Sequence, residues 1–202
     1  MTRRIVGMVL ALLLMAPVMA SAQDDKKPAG GDPSMEQMMA EWAKYATPGA
    51  QHKLMGKQLG KWTVTTKVWM DPSALPAESK GTCEVTSMLG GRFFRSDYKG
   101  DMMGQPYEGI AISGYDIYKK MYVGTWIDNM GTMMMTFTGT CNADGSECTY
   151  KASFDDPAMK VTKGVREVCR WTGADTWVLD WYETVPGQPE HKTMEISHVR
   201  VK

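Results

Sequence analysis

From Lys61 onward, apolar and polar residues alternate in short runs that end at turn-forming residues. Runs rich in Val, Thr, Ile, Tyr, Phe and Trp are typical of β-strands. About ten occur, at 61–70, 80–89, 92–99, 107–116, 120–128, 132–141, 147–154, 159–171, 176–184 and 191–201. No helical pattern separates them, and such closely spaced strands form an antiparallel meander rather than a parallel sheet.

A sheet of ten strands leaves two unpaired edges unless it closes on itself. The sequence therefore predicts an all-β fold, an antiparallel up-and-down β-barrel over residues 59–202. A barrel of this size can hold a small ligand inside. Some strand faces mix apolar and polar residues, as in Thr132, Met134, Thr136 and Thr138. If such faces point inward, they would line a partly wet cavity, but the pattern leaves their direction open.

The first 34 residues differ from the rest of the chain. Arg3 and Arg4 precede an apolar run over 6–16, and Ala20-Ser21-Ala22 has the small residues of a cleavage site. We therefore predict a signal peptide over 1–22 and an exported protein, periplasmic or secreted. An uncleaved anchor helix is the alternative, although the run is short for a membrane span. Residues 23–34 are polar and rich in Pro and Gly, which indicates a flexible lead-in.

Residues 35–58 are predicted to form one or two short helices before the barrel. Apolar side chains recur there at helical spacing, at Met35, Met38, Met39, Trp42 and Tyr45. Ser34 is placed to cap the first helix, and Thr47-Pro48-Gly49 ends it.

Two of the four cysteines are placed to form a disulfide. Cys141 and Cys148 flank a turn sequence between two predicted strands, so a hairpin would bring them within bridging distance. An oxidising compartment would permit the bond. The strand path places Cys169 near the helix-covered end of the barrel and Cys83 nearer the other end. Cys83 is then free, unless the strand path differs from the predicted one.

Charge and motifs exclude several function classes. The chain has 23 basic and 23 acidic residues, without the basic excess of a nucleic-acid binder. The sequence contains no second long apolar run, so we predict no stable membrane span. Gly-x-Ser-x-Gly, a reactive Cys–His pair and a phosphate loop are all missing from the sequence, so we predict no catalytic residue and no cofactor. The sequence does not indicate the oligomeric state.

An ordered series of motifs carries a family resemblance. It comprises Leu59-Gly60-Lys61-Trp62, Leu89-Gly90-Gly91-Arg92-Phe93, Tyr98-Lys99-Gly100, Glu108-Gly109, Gly114-Tyr115-Asp116, Tyr122 and Trp126-Ile127-Asp128, with His52 before it. Over roughly residues 48–201 this resembles the bacterial family called domain of unknown function 1579. The resemblance implies a lipocalin-like, calycin-type barrel and no established activity.

The element Gly60-x-Trp62 also resembles the lipocalin Gly-x-Trp motif. In that motif the tryptophan closes one barrel end and packs against an arginine of a late strand. The resemblance implies that Trp62 stacks on Arg200 or Arg170, with Arg200 as our barrel-closing choice. A guanidinium over an indole face is favourable by roughly 0.5–2 kcal/mol.

Metal and haem sites are weaker alternatives. Met133, Met134 and Met135 alternate between the two faces of a strand and cannot converge on copper. The three histidines lack the spacing of a zinc site. In the related nitrobindin-type barrels a late histidine ligates haem, so His198 is the candidate by analogy. An outward position beside Arg200 is equally open for it.

The candidate ligand site follows from the strand path. Trp126 to Asn129 should lie at the end away from the helices, ringed by loops 71–79, 100–106, 155–158 and 185–190. Aromatic groups with a few polar ones suit a small-molecule site, and our candidate ligand-binding residues are Tyr98, Tyr115, Tyr122, Trp126 and Asp128. Alternatively, Trp126 is core packing and Asp128 begins a turn.

The sequence thus favours an exported barrel that binds a small, partly apolar molecule. The alternative is an envelope structural or interaction protein whose barrel is filled and whose 35–46 helix exposes an apolar patch. A haem binder, a copper binder and an enzyme are less favoured hypotheses.

Overall fold

A computed structural model describes residues 32–71, 73–102 and 104–202. The predicted signal peptide and nearly all of the lead-in lie outside these residues. Two helices come first, α1 (Met35–Ala46) and α2 (Ala50–Met55), followed by a 3₁₀ turn at Gly56–Gln58. Ser34 caps α1, since its side chain accepts a hydrogen bond from the backbone of Gln37.

Ten strands follow and form a closed antiparallel barrel. They are β1 (Gly60–Val68), β2 (Ala77–Met88), β3 (Phe93–Met102), β4 (Gln105–Asp116), β5 (Met121–Asp128), β6 (Met135–Cys141), β7 (Glu147–Asp156), β8 (Val161–Gly173), β9 (Thr176–Thr184) and β10 (His191–Arg200). Each strand pairs with the next along the chain, and β10 pairs with β1 to close the sheet. The predicted all-β, up-and-down barrel with short N-terminal helices is confirmed.

The up-and-down path gives the barrel two different ends. At the closed end lie α2, the start of β1 and the end of β10. There Arg200 lies over the ring of Trp62, with its guanidinium carbon 4.1 Å from the ring centroid. The same guanidinium donates hydrogen bonds to the carbonyls of Leu59 (2.6 Å) and Lys57 (2.7 Å). The open end carries the connections that follow β1, β3, β5, β7 and β9.

A buried aromatic layer fills the barrel next to the closed end. Trp62 is fully buried, and the ring of Trp177 stacks on that of His198 at 3.5 Å and 7°. Tyr122 and Phe94 belong to the same core cluster. This layer separates the helices from the barrel interior and forms the floor on which a cavity rests.

The cysteines differ from expectation in one respect. The expected Cys141–Cys148 disulfide is present, and Cys83 and Cys169 are free. However, Cys83 lies opposite Trp62 in the closed-end layer, and not nearer the open end as expected. The reason is that β2 begins at Ala77, three residues earlier than predicted, which moves Cys83 to the middle of the strand.

The inward face of β6 is the apolar one. Met135 and Phe137 point into the barrel, whereas Thr136 and Thr138 are exposed. Thr136 and Thr138 therefore do not line the interior, whereas Thr132, which precedes β6, does. β6 contributes an apolar wall.

Candidate ligand-binding cavity

The barrel is hollow between the aromatic layer and the open end. The cavity has a volume of about 980 Å³. Its apolar wall consists largely of aromatic and methionine side chains, which include Tyr98, Trp126, Met135, Phe137, Tyr150, Phe154, Trp181 and Met194. Its polar lining includes Thr66, Ser96, Ser113, Asp128, Glu167 and Glu183. A cavity of this size and mixture is typical of small-molecule sites.

The sequence leaves this space because large and small inward side chains are segregated. On β2, β3 and β4, most of the inward positions in the middle of the cavity carry small residues, at Gly81, Ser96, Gly100, Ala111 and Ser113, although Tyr98 on β3 also lines it. On β6, β7 and β9 the corresponding positions carry Phe137, Tyr150 and Trp181. The large rings of β6, β7 and β9 face mostly small side chains across the barrel. The interior is therefore not filled.

A hydrogen-bonded group at the open end centres on Asp128. Its Oδ2 accepts hydrogen bonds from Trp126 Nε1 (2.9 Å) and from the Tyr107 hydroxyl (3.2 Å). Burial and the nearby Asp128 carboxylate raise the pKa of Tyr107, so its hydroxyl keeps its proton and donates. Gly109 makes room for this group, since a Cβ at that position would overlap the ring of Trp126. The indole of Trp126 is thus held in place where it lines the cavity.

The cavity floor holds a histidine that is already engaged. His198 is 1% exposed, and its Nε2 lies 2.9 Å from the hydroxyl of Tyr98. Burial lowers the pKa of His198 to about 3, so the ring is neutral. His198 points inward rather than outward beside Arg200. Tyr98 occupies Nε2, Trp177 covers one ring face, and Nδ1 is buried without a hydrogen-bond partner among the described residues. Because the side chain is packed in the floor and does not itself line the cavity, this arrangement does not favour the haem alternative.

Glu167 is the most unusual polar group of the cavity. It lies midway along β8, is 7% exposed and lines the cavity. Its Cα partners on the neighbouring strands are Tyr150 and Trp181, which also face inward. Burial raises the pKa of the carboxyl to about 7, since loss of water disfavours the charged form. Among the described residues, no hydrogen bond or ion pair reaches this side chain.

The rim at the open end carries a paired lysine. Lys163 Nζ lies 2.9 Å from Asp156 Oδ2 and 3.0 Å from Glu183 Oε2. The hydrogen bonds to these two carboxylates raise its pKa, so the ammonium is retained. Trp181 Nε1 donates to the other oxygen of Glu183 at 3.2 Å. The lysine thus ties β7, β8 and β9 together at the entrance.

The structure separates the five residues predicted to bind a ligand. Tyr98, Trp126 and Asp128 line the cavity. Tyr122 is buried in the closed-end core, and Tyr115 borders a smaller pocket under the helices, with its ring 6.0 Å from that of His52. The barrel interior therefore does not bring the five together.

Sequence reasoning missed Glu167, Tyr150 and Trp181. A signal for Glu167 was available, because strict alternation places it on the same face as Val165 and Cys169. A carboxylate between two apolar residues on one strand face is an unusual feature that could have singled it out.

The smaller pocket, of about 530 Å³, lies between α1 and the closed end of the barrel. Trp42 and Met39 of α1 line it together with Phe93 and Tyr115, yet Trp42 is still 74% exposed. Tyr45 touches Tyr118 edge-on at 5.4 Å. The helix therefore covers this end of the barrel only loosely.

Within residues 32–71, 73–102 and 104–202, no three His, Cys, Asp or Glu side chains are grouped as metal ligands. None of the helices in this part of the chain is long and apolar enough to cross a membrane.

A closed antiparallel barrel with a hollow, aromatic-lined interior defines a lipocalin-like barrel protein. The chain belongs to the family described as "Protein of unknown function (DUF1579)", which matches residues 47–200. The family resemblance predicted from the motif series is confirmed. No curated protein matches the chain.

Two solved structures share this fold at low sequence identity. Rv2717c from M. tuberculosis is 14% identical with a TM-score of 0.59, over 77% of this chain and 100% of that protein. The S-type phycobiliprotein lyase CPES from Guillardia theta is 10% identical with a TM-score of 0.53, over 84% of this chain and 99% of the lyase. At such identities the likeness shows the fold alone.

Proposed function

We propose that this protein is an exported lipocalin-like carrier or receptor that binds a small, partly apolar molecule in the barrel interior. The observation that carries the proposal is the cavity of about 980 Å³. Its volume lies at the upper end of the range for small-molecule sites, and its lining combines aromatic walls with a few polar groups. Burial of an apolar molecule there gains about 25 cal/mol per Å² of apolar surface.

The polar groups lie at different depths, which supports an oriented ligand. Asp128 lies at the open end with Trp126 and Tyr107, whereas Glu167 lies midway along the barrel. The walls between them are apolar rings. A ligand with an apolar body and a polar group could place that group against one of these carboxylates and its body along the aromatic walls.

Export rests on the predicted signal peptide, and the Cys141–Cys148 disulfide supports it. Such bonds form and persist in oxidising compartments and are rare in the cytosol. Secretion of the chain by its native host, followed by mass measurement of the mature N-terminus, tests this part of the proposal. A measured mass that corresponds to an uncleaved chain beginning at Met1 would contradict it.

The alternative of an interaction protein with a filled barrel is less well supported, because the barrel is not filled. That alternative also predicted an exposed apolar patch on the first helix, and Met35, Met39 and Trp42 are indeed largely exposed there. Sedimentation of the mature protein at increasing concentration measures whether these side chains drive self-association.

The binding proposal is tested with a matched pair of substitutions on β1. Thr66 lines the cavity, and its neighbour Thr65 points outward. Thr66→Phe should fill part of the cavity and weaken binding of the neutral fluorescent probe N-phenyl-1-naphthylamine by tenfold or more. Thr65→Phe should leave binding unchanged. Native mass spectrometry of protein purified from its host should show an added small-molecule mass. Equal probe binding by both variants would place the probe outside the barrel and overturn the proposal.

A further inference from the structure

The interior carboxyl group of Glu167 lacks a partner. Arg and Lys side chains pair with many carboxylates of this barrel, as Lys163 does with Asp156 and Glu183. Within the described part of the chain, neither an ion pair nor a hydrogen bond reaches Glu167, although it is 7% exposed and faces the cavity. A buried, unpaired carboxylate is costly. A cation supplied by a ligand would remove that cost.

The surroundings of Glu167 favour a cation. Tyr150 and Trp181 lie directly opposite it on the two neighbouring strands, at a Cβ separation of about 5 Å for such pairs. Aromatic faces attract ammonium groups through the ring quadrupole, most strongly when the site is dry. A carboxylate between two aromatic rings therefore offers an ammonium group both an ion pair and cation–π contacts.

The other titratable groups near Glu167 do not supply a positive charge. Burial raises the pKa of Tyr98, Tyr150 and Cys169 well above ordinary values, so all three are neutral at pH 8. Lys163 lies four residues away on β8, about 13 Å along the strand, and is paired with the carboxylates of Asp156 and Glu183.

The cavity as a whole also carries more negative than positive groups. Five carboxylates line it, at Asp101, Asp128, Asp155, Glu167 and Glu183. Three lysines line it, at Lys80, Lys99 and Lys163. Two of these lysines already have partners, because Lys99 pairs with Glu108 and Lys163 with two carboxylates. A cleft with this charge balance concentrates cations and repels anions.

We propose that the ligand is a cationic amine with an apolar body, and that Glu167 binds its ammonium group. This inference rests on the proposed function and names the ligand class for the same cavity. The ammonium N–H donates to the Glu167 carboxylate between Tyr150 and Trp181. The apolar body extends along the wall toward Trp126 at the open end.

The test uses three probes that share one apolar body and differ in the polar group. They are 1-naphthylmethylamine, 1-naphthylmethanol and 1-naphthylacetate, titrated calorimetrically at pH 8. The wild-type protein should bind the amine at least tenfold more tightly than the alcohol, and the anion most weakly. Glu167→Gln should abolish the preference for the amine and leave alcohol binding within about twofold. Glu147→Gln, at an exposed position on β7, is the matched control and should behave as wild type.

The outcomes separate this inference from the function on which it rests. If the alcohol binds as tightly as the amine, or if Glu167→Gln keeps the preference, the cation assignment is overturned while the binding function stands. Tightest binding of the anion would also overturn it. If none of the three probes binds, the proposed function fails and the ligand class fails with it.

Discussion

Replacement of Glu167 by glutamine should stabilise the empty protein, and the gain should depend on pH. Burial raises the pKa of this carboxyl from 4.5 to about 7. Each unit of pKa difference between the folded and unfolded states corresponds to 1.36 kcal/mol. The ionised side chain therefore costs the folded state about 3 kcal/mol at pH 8.

The direction follows from proton binding. Between pH 4.5 and about 7 the folded protein keeps the Glu167 proton, whereas the unfolded chain loses it. Folding stability from this group is thus greatest below pH 4.5 and falls as the pH rises to about 7. Glutamine has a similar shape and no charge. We expect Glu167→Gln to unfold with a free energy about 3 kcal/mol higher than wild type at pH 8, and nearly equal to it at pH 4.5.

Urea denaturation followed by tryptophan fluorescence at pH 4.5, 6, 7 and 8 measures this difference. The difference between variant and wild type cancels the contributions of all other carboxyls. Glu147→Gln serves as the control and should show no pH-dependent difference, because its side chain is exposed on β7. A Glu167→Gln difference that is the same at pH 4.5 and pH 8 would refute the reasoning, since it would mean that Glu167 titrates alike in both states.

Three further perturbations have expected outcomes. Gly109→Ala should displace Trp126 from the cavity wall and weaken probe binding several-fold in a fluorescence titration, while far-ultraviolet circular dichroism stays unchanged. Unchanged probe affinity would show that the indole does not contribute. Arg200→Ala removes three hydrogen bonds at the closed end and should cost about 2 kcal/mol in urea denaturation. Arg200→Lys should lose less stability than Arg200→Ala but should remain below wild type. Full wild-type stability in Arg200→Lys would contradict the role of the planar guanidinium. Paired replacement of Cys141 and Cys148 by serine should cost about 2 kcal/mol. A reducing agent should then lower the free energy of unfolding of the wild type but not that of the variant.

Much of the fold could be predicted from the sequence because the signals were local. Alternation of apolar and polar residues identified the ten strands, and the turn at Asp144-Gly145 identified the disulfide-bearing hairpin. The predicted position of Cys83 was wrong because the start of β2 was placed too late. The strand begins at Ala77, in a polar stretch without alternation. Strand ends depend on pairing with β1, which local pattern does not reveal.

The candidate site was harder to predict because it depends on the barrel as a whole. Trp126 and Asp128 were placed by their alternation on one strand. Tyr115 and Tyr122 lie on inward faces too, but deeper in the barrel, where the closed-end layer fills the space. Whether an inward residue meets a cavity or a packed core depends on the side chains across the barrel, such as Ala111 and Ser113.

The closure of β10 onto β1 ties together residues that are far apart in the chain. Arg200 donates to the carbonyl of Leu59, 141 residues earlier. During synthesis or translocation, the hydrogen-bonded ring of strands cannot close until β10 is available to pair with β1. Contacts of such long range form slowly. The interior is enclosed only once β10 has emerged and paired with β1. A chain that crosses a membrane unfolded could therefore enclose a ligand only after translocation.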